Sequence, residues 1–366
     1  MLVPAGQKRT TYCELVRFSA DATSSASVAM MPRQVLDDGL GYSYVTEPSV
    51  RCGSSLSSVR ITFVCFDNTI YQDFDVQELA IMPYTSVNSH RLHYFDTHDV
   101  QPDRGNGKPP VVMIHGLGSS QNYYMSVISE LEDYRCVALD SYGAARSKSG
   151  GGDVSVQRLG KDVLGLMDAL HIPKAVMAGH SMGGPMAMEL AASHPDRIAG
   201  VVAIGPVSPK HVKPEMFTSR IETVMKGECV RILYKKAPAG LTHYAEGMEP
   251  LANTIPSSAT NKNSTVLQRS LIREFLLNQD PASYASHCKA IVEMEEPDLK
   301  SIKVPVLILA GEEDKSAPME GCQHLYDNLG GPSKDLKVMK GVGHWHCIEA
   351  GDQVAREIAT FCSSLG

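Results

Sequence analysis

Three side chains that could together transfer an acyl group stand far apart in this 366-residue chain: Ser181, Asp314 and His344. Ser181 is the centre of Gly179-His180-Ser181-Met182-Gly183. The apolar run Ala175-Val176-Met177-Ala178 precedes it and a helix-forming run, Pro185 to Ser193, follows. A serine hydroxyl is a weak nucleophile at neutral pH and needs a base beside it. Gly-x-Ser-x-Gly between a strand and a helix predicts a sharp turn that lifts the hydroxyl clear of the sheet. The two glycines remove the β-carbons that would collide there. A helix starting near Met182 also aims its positive end at the same spot. His344, in Gly341-Val342-Gly343-His344-Trp345, is the candidate base; His346 is its rival and His180 a weaker one. The base needs a carboxylate to hold its tautomer and stabilise the imidazolium. Asp314, beyond the apolar run Val304 to Leu309, is the expected partner, with Glu312 and Glu313 as competitors. The chain order Ser181, Asp314, His344 is the nucleophile–acid–base order that accompanies a strand-to-helix serine turn.

The oxyanion formed by serine attack on a carbonyl needs N–H donors already in place. The backbone N–H of Met182 is one expected donor. Leu117 supplies the other, in His115-Gly116-Leu117-Gly118, where flanking glycines let the main chain approach a ligand.

Elements able to position these residues can be read from hydrophobic runs. Val111 to Ile114, Cys136 to Asp140, Gly200 to Ile204 and Val304 to Leu309 are short and continuously apolar, as parallel strands buried on both faces are. Leu336 to Met339, interrupted by Lys337, is expected as the last strand. Helical stretches alternate with them: Asn122 to Leu131, Ser155 to Leu170, the run after Ser181, Met319 to Leu329 and Asp352 to Phe361. The fold class is therefore α/β, with a doubly wound, mostly parallel sheet. Such sheets bind ligands beyond the carboxyl ends of their strands, where the candidate residues all fall. Leu79 to Thr85 and Arg91 to Phe95 read as a preceding hairpin. Between Gly205 and Val304 the alternation stops. Helix-like pieces (Met216 to Met225, Val266 to Asn278, Ser283 to Val292) flank a loose stretch, Pro250 to Ser264, and this insertion is placed to roof the site. The expected layout is an extension over 1–75, core over 76–206, a helical cap over 207–303 and core again over 304–366. Residues 1–75 are Ser-rich, with one strand-like run from Val59 to Phe66, and are expected to be mostly poorly ordered.

Composition narrows the function classes. The formal net charge is −7 with no long basic run, which gives no reason to expect nucleic acid as a partner. No apolar run has membrane-spanning length. Nine scattered cysteines without a Cys-x-x-Cys pair suit reduced thiols in a cytoplasmic protein, not a disulfide frame or a zinc site. No metal or other cofactor is expected.

His115 to Gly118, Asp140-Ser141-Tyr142-Gly143-Ala144-Ala145-Arg146-Ser147, the Ser181 turn, Gly311 to Asp314 and Gly341 to Trp345 together resemble the α/β-hydrolase superfamily, from about Val76 to the C-terminus. Ala145 stands where many members have glycine. Within the superfamily the chain is most similar to the 3-oxoadipate enol-lactonase branch, on Asn278 to Ala285, Cys288 to Ile291 and Ile302 to Asp314. This resemblance implies an α/β-hydrolase fold with a helical cap and a cofactor-independent serine hydrolase. Its expected partner is a small-molecule carboxylic ester or lactone, cleaved through an acyl-enzyme on Ser181. Serine at 181, where an aspartate would be the nucleophile, separates the chain from the epoxide hydrolase and haloalkane dehalogenase branches. Two readings stay beside it: a carbon–carbon bond hydrolase with the same triad, and a ligand-binding receptor or scaffold on a hydrolase fold. Arg220, Arg269 and Arg273, all in the insertion, are candidates to meet a substrate carboxylate of the oxoadipate type.

Overall fold

A short strand covered on both faces buries every one of its side chains, and the continuous apolar runs of this chain form such strands. The computed structural model describes residues 13–19, 60–65, 74–75, 83–105, 107–149, 154–233 and 247–365, with backbone alone for the first three segments and for 227–233. The chain divides into two units, Met1–Ile81 and Met82–Gly366. In the first, β1 (Cys13–Ser19), β2 (Arg60–Cys65) and β3 (Phe74–Asp75) form an antiparallel sheet in the order β1-β2-β3. β2 lies within the strand-like run expected from Val59 to Phe66. β1 and β3 are two further strands within residues 1–75; for the other residues of that stretch the expectation of poor order lies outside the described residues.

The second unit holds an eight-stranded sheet. Its strands are β4 (Tyr84–Val87), β5 (His90–Asp96), β6 (Val111–Ile114), β7 (Cys136–Leu139), β8 (Ala175–His180), β9 (Ile198–Ile204), β10 (Val306–Gly311) and β11 (Lys334–Met339). They lie in the order β11-β10-β9-β8-β6-β7-β5-β4. Every pairing from β11 to β7 is parallel, and β5 and β4 close that edge antiparallel. Every residue of β6, β7, β8 and β10 is buried. The chain leaves β6 toward β7 on one side and returns to β8 on the other. The loops after β6 and β8 therefore part around a crevice, the switch point at which such sheets receive ligands. The hairpin β4–β5 is tighter than expected, with Asn88 and Ser89 alone in its turn, both at positive φ (48° and 70°). Residues 79–82 of the expected first strand lie outside the described residues.

Flanking the sheet are α1 (Met125–Glu130), α2 (Val156–Ala169), α3 (Gly183–Ser193) and, after the insertion, α8 (Met319–Asn328), α9 (His346–Glu349) and α10 (Gly351–Ser363). The insertion between β9 and β10 contributes α4 (Pro214–Leu233), α5 (Glu249–Ser258), α6 (Val266–Leu277) and α7 (Pro281–Val292). Here the structure differs from the sequence reading: Pro250 to Ser264, expected to be loose, begins with most of α5. Pro250 sits in the first turn, where the missing N–H has no intrahelical partner to lose, and Pro256 lies near the other end. Burial of Leu251, Ala252 and Ile255 on one face secures the helix. Thr265 and Gln268 cap α6 reciprocally, and the Asp280 carboxylate accepts from Ser283 N at the start of α7. Among the described residues, no helix is long and apolar enough to cross a membrane. Cys136, Cys288, Cys322, Cys347 and Cys362 are buried free thiols.

Candidate active site

Ser181 follows the last residue of β8 with φ at +54°, in the left-handed region that serine seldom occupies. Its N–H donates to Ile204 O of β9 (2.9 Å), and its carbonyl accepts from Gly184 N (3.0 Å) and Val207 N (3.2 Å). Those three bonds fix a backbone that would otherwise relax. A β-carbon on Gly179 would lie 2.1 Å from Gly183 O, and one on Gly183 would lie 2.3 Å from Ile114 O. Both glycines are needed for close approach of backbone to backbone, and the turn docks directly on the end of β6.

His344 Nε2 stands 3.1 Å from Ser181 Oγ, and its Nδ1 is 2.8 Å from Asp314 Oδ2. An ionised carboxylate can only accept, so Nδ1 carries the proton and Nε2 is left as the acceptor facing the serine hydroxyl. Asp314 Oδ1 accepts from the amides of Ser316 and Ala317, both at 2.8 Å. Burial by itself would raise the Asp314 pKa. The charge and hydrogen bond of His344, the nearby His346 and the Ala317 amide outweigh that and hold the carboxyl below its ordinary value. It remains an anion at neutral pH.

The rival histidines sit behind this line. His180 Nε2 donates to His344 O (2.8 Å), as does His346 Nδ1 (3.0 Å). Burial lowers the pKa of both, so both are neutral and brace the His344 backbone, with His180 stacked on Tyr123. Glu312 accepts from Gly341 N (2.8 Å), which orders the turn before His344. The Met182 amide lies at the start of α3, directly after Ser181. Gly116 packs so closely on the serine that a β-carbon there would be 2.7 Å from Ser181 Cβ, and Leu117 follows it. Among the described residues neither the Leu117 nor the Met182 amide donates to a backbone acceptor. A bare histidine nitrogen against a hydroxyl, with two uncommitted amides alongside, is an arrangement able to generate an alkoxide and hold an oxyanion.

The sequence model of Hydrolase_4, described as serine aminopeptidase, S33, matches residues 105–350. The chain belongs to this α/β-hydrolase family. It is similar to 3-oxoadipate enol-lactonase 2 of Acinetobacter baylyi, 25% identical over 228 residues that cover 61% of this chain and 78% of that protein. It is also similar to 2-hydroxy-6-oxo-6-phenylhexa-2,4-dienoate hydrolase of Burkholderia cepacia, 27% identical over 315 residues, 79% of this chain and 99% of that one. The crystal structure of the enol-lactonase from Burkholderia xenovorans LB400 superimposes with a TM-score of 0.65 at 27% identity, covering 77% of this chain and all of that one. The similarities place this α/β-hydrolase near the enol-lactonase-like branch, and its relatives are hydrolases.

Two further features of the α/β-hydrolase site come from the structure alone. Glu349, at the end of α9, accepts from the amides on either side of His344, Gly343 N (3.0 Å) and Trp345 N (2.9 Å). It also accepts from Asn261 N (2.8 Å), Asn261 Nδ2 (2.6 Å) and Ser264 Oγ (3.2 Å) in the α5–α6 connection. His344 N donates to Ala259 O (2.8 Å) of the same connection. One carboxylate thus ties the histidine loop to the insertion; nothing in the sequence distinguishes it from the other acidic residues. The second feature is a cavity of about 40 Å³, space for only a few waters, that opens on Ser181 and His344. Leu117 lines it from the core; Met216, Phe217, Arg220 and Tyr284 line it from α4 and α7. Among the described residues, no group of three or more His, Cys, Asp or Glu side chains could hold a metal ion.

Proposed function

We propose that this chain is a serine hydrolase of carboxylic esters, small lactones first among them, with Ser181 as nucleophile, His344 as base and Asp314 as the orienting anion. The observation that carries the reading is the continuous line from Asp314 Oδ2 through His344 to Ser181 Oγ, with links of 2.8 and 3.1 Å. His344 Nε2 takes the hydroxyl proton as Oγ attacks the carbonyl carbon. The amides of Met182 and Leu117 hold the oxyanion, a stabilisation worth about 2.7–4 kcal/mol per donor where one has been removed from other enzymes. The tetrahedral intermediate collapses, the imidazolium gives its proton to the leaving alkoxide, and an acyl-enzyme remains. A water deprotonated by His344 attacks that acyl group, and the acid leaves. In a lactone both products are one molecule, the ring-opened hydroxy acid or its keto tautomer.

The named enol-lactonase relatives and the small cavity support the lactone reading. The carbon–carbon bond hydrolase matched over 99% of its length supports a second, in which the same residues cleave a bond beside a carbonyl. Product analysis separates the two, since only the first releases an alcohol or enol oxygen. The experiment on the nucleophile is mass spectrometry after exposure to an activated fluorophosphonate, wild type beside Ser181→Ala. A single adduct on Ser181, absent from the folded variant, is expected together with ester turnover. A folded wild type that takes up no reagent overturns the assignment.

A further inference from the structure

The cavity over Ser181 has room for only a few waters, so an ester reaches the serine only where a wall gives way. A second cavity, of about 30 Å³, lies beside it. Both are lined by Val207, Met216, Phe217 and Ser316, which form the partition between them. On its far side the second cavity is lined by Val212 and reaches the molecular surface at Lys213 and Lys315, both exposed.

Three of the four partition residues are held in place. Val207 is buried, and its N–H donates to Ser181 O (3.2 Å), which fixes it to the serine turn. Ser316 N donates to Asp314 Oδ1 (2.8 Å), in the loop that orients His344. Phe217 is buried, and the Arg220 guanidinium lies over its ring, 5.4 Å from the centroid. Met216 is half-buried, and its unbranched thioether can change rotamer without any movement of the backbone. The backbone leading to it is pinned. Glu296, between α7 and β10, accepts from Lys210 Nζ (2.7 Å) and from His324 Nε2 (2.8 Å) on α8. One carboxylate thus clamps the entry and the exit of the insertion to the core. His211 Nδ1 and Ser208 Oγ, 3.0 Å apart, brace the same entry. What yields here is a side chain and not a helix.

We propose that the second cavity is the mouth of the active site and that the Met216 side chain is the gate between the two, passing the ester inward and the acid outward. No acidic residue lines the mouth, so a departing carboxylate meets no like charge there, and Lys213 and Lys315 draw it toward solvent. The inference rests on the hydrolase reading above for what passes through, though the path can be tested apart from it.

Access to position 181 provides the test. Ser181→Cys places a thiol there, and its rate of modification by methyl methanethiosulfonate, small and uncharged, is followed by peptide mass spectrometry, which separates it from the other cysteines. Val212 lines the second cavity and not the first, so Val212→Trp fills the mouth without reaching the serine. That substitution should slow modification ~10-fold or more, and Met216→Trp should do the same at the gate. Met216→Ala, which asks no extra space of the fold, should speed it about 3- to 10-fold, and adding Val212→Trp should cancel the gain. Met216→Ala alone decides if the tryptophan variants do not fold. With Ser181 restored, kcat/KM for p-nitrophenyl butyrate should follow the same order. A modification rate indifferent to Met216→Ala, or to Val212→Trp in a folded protein, overturns the gate and leaves the hydrolase reading intact. A rate that follows both substitutions in a protein that cleaves no ester keeps the gate and removes the hydrolase reading.

Discussion

The strand ends that carry Ser181, Asp314 and His344 and the cap that faces them are built by opposite means. At the strand ends the main chain sets every position. Ser181 is held in a left-handed conformation by bonds to β9, and two glycines pack backbone on backbone. His344 is positioned through its own carbonyl and its neighbours' amides. In the cap, side chains of amphipathic helices form the cavity wall, and α4 and α7 meet through them. The contrast divides the labour. Geometry fixed by backbone cannot drift by an ångström without loss of rate, whereas a wall of side chains can be rewritten residue by residue to suit another substrate. Substitutions in the first region should therefore act on kcat, and substitutions in the second on the choice of substrate.

The harshest way to break that contrast from the strand-end side, short of removing the Ser181 hydroxyl, is Asp314→Asn. An amide can turn an N–H toward His344 Nδ1, which forces the other tautomer and puts a proton where Nε2 must accept one. The equivalent change in a serine protease lowers kcat about 10⁴-fold, and a fall of ~10³- to 10⁴-fold is expected here. Stopped assays of ester turnover measure it, with circular dichroism to show the fold retained. A loss under tenfold would mean that the Asp314 bond does not set the tautomer.

Acid stability sharpens the comparison next. Both regions bury neutral histidines: His115, His180 and His346 at the strand ends, and His287 on α7 in the cap. Burial lowers all four, and His287 falls to about 4 despite its bond to Ser283 O. The native state then binds fewer protons than the unfolded chain, whose histidines titrate near 6.5. Stability is thus complete above about pH 6.5 and is lost as pH falls toward the folded values. His287 alone should cost about 3 kcal/mol by pH 4. Urea unfolding from pH 7.5 to 4, wild type against His287→Gln, measures the cap's share. Parallel curves for the two proteins would show that His287 carries none of it.

The same division explains what could be read in the sequence. Apolar runs of four to seven residues are too short for helices and alternate with helical stretches, and Gly-x-Ser-x-Gly is a local pattern with a local cause, so the sheet and the Ser181 turn were legible. His344 and Asp314 followed from their places just past strand ends. The cap resisted. α5 carries Pro250 and Pro256 and forms because Leu251 and Ile255 find a buried face, which no window of sequence contains. Arg220, which lines the cavity, could be separated from Arg269 and Arg273, paired with Thr260 and Glu249, only once their surroundings were visible. Glu349 finds its acceptor role through Asn261, 88 residues away, and contacts at that range leave no local signature.

Glu349 joins the two regions, and the smallest of these effects tests whether the joint matters to chemistry. In Glu349→Gln the amide oxygen can keep the place of Oε2, where Gly343 N, Asn261 and Ser264 converge. The new NH₂ then faces Trp345 N, donor against donor, so one bond from the histidine loop is lost and a mild repulsion replaces it. His344 Nε2 must still reach Ser181 Oγ at 3.1 Å, and a loop freed on one side will hold that distance only part of the time. A charge-assisted hydrogen bond is worth about 1.5–3 kcal/mol, and part of that strength should appear as lost positioning. The expected result is a roughly tenfold fall in kcat with KM nearly unchanged, about 1.4 kcal/mol in the barrier. The rate of Ser181 labelling by fluorophosphonate should fall in parallel, because labelling needs the base but not the cap's substrate contacts. A purely structural brace would behave otherwise: the unfolding midpoint would drop while the folded fraction reacted at the wild-type rate. That outcome would return Glu349 to the cap's packing and leave the strand-end loops to position His344 unaided.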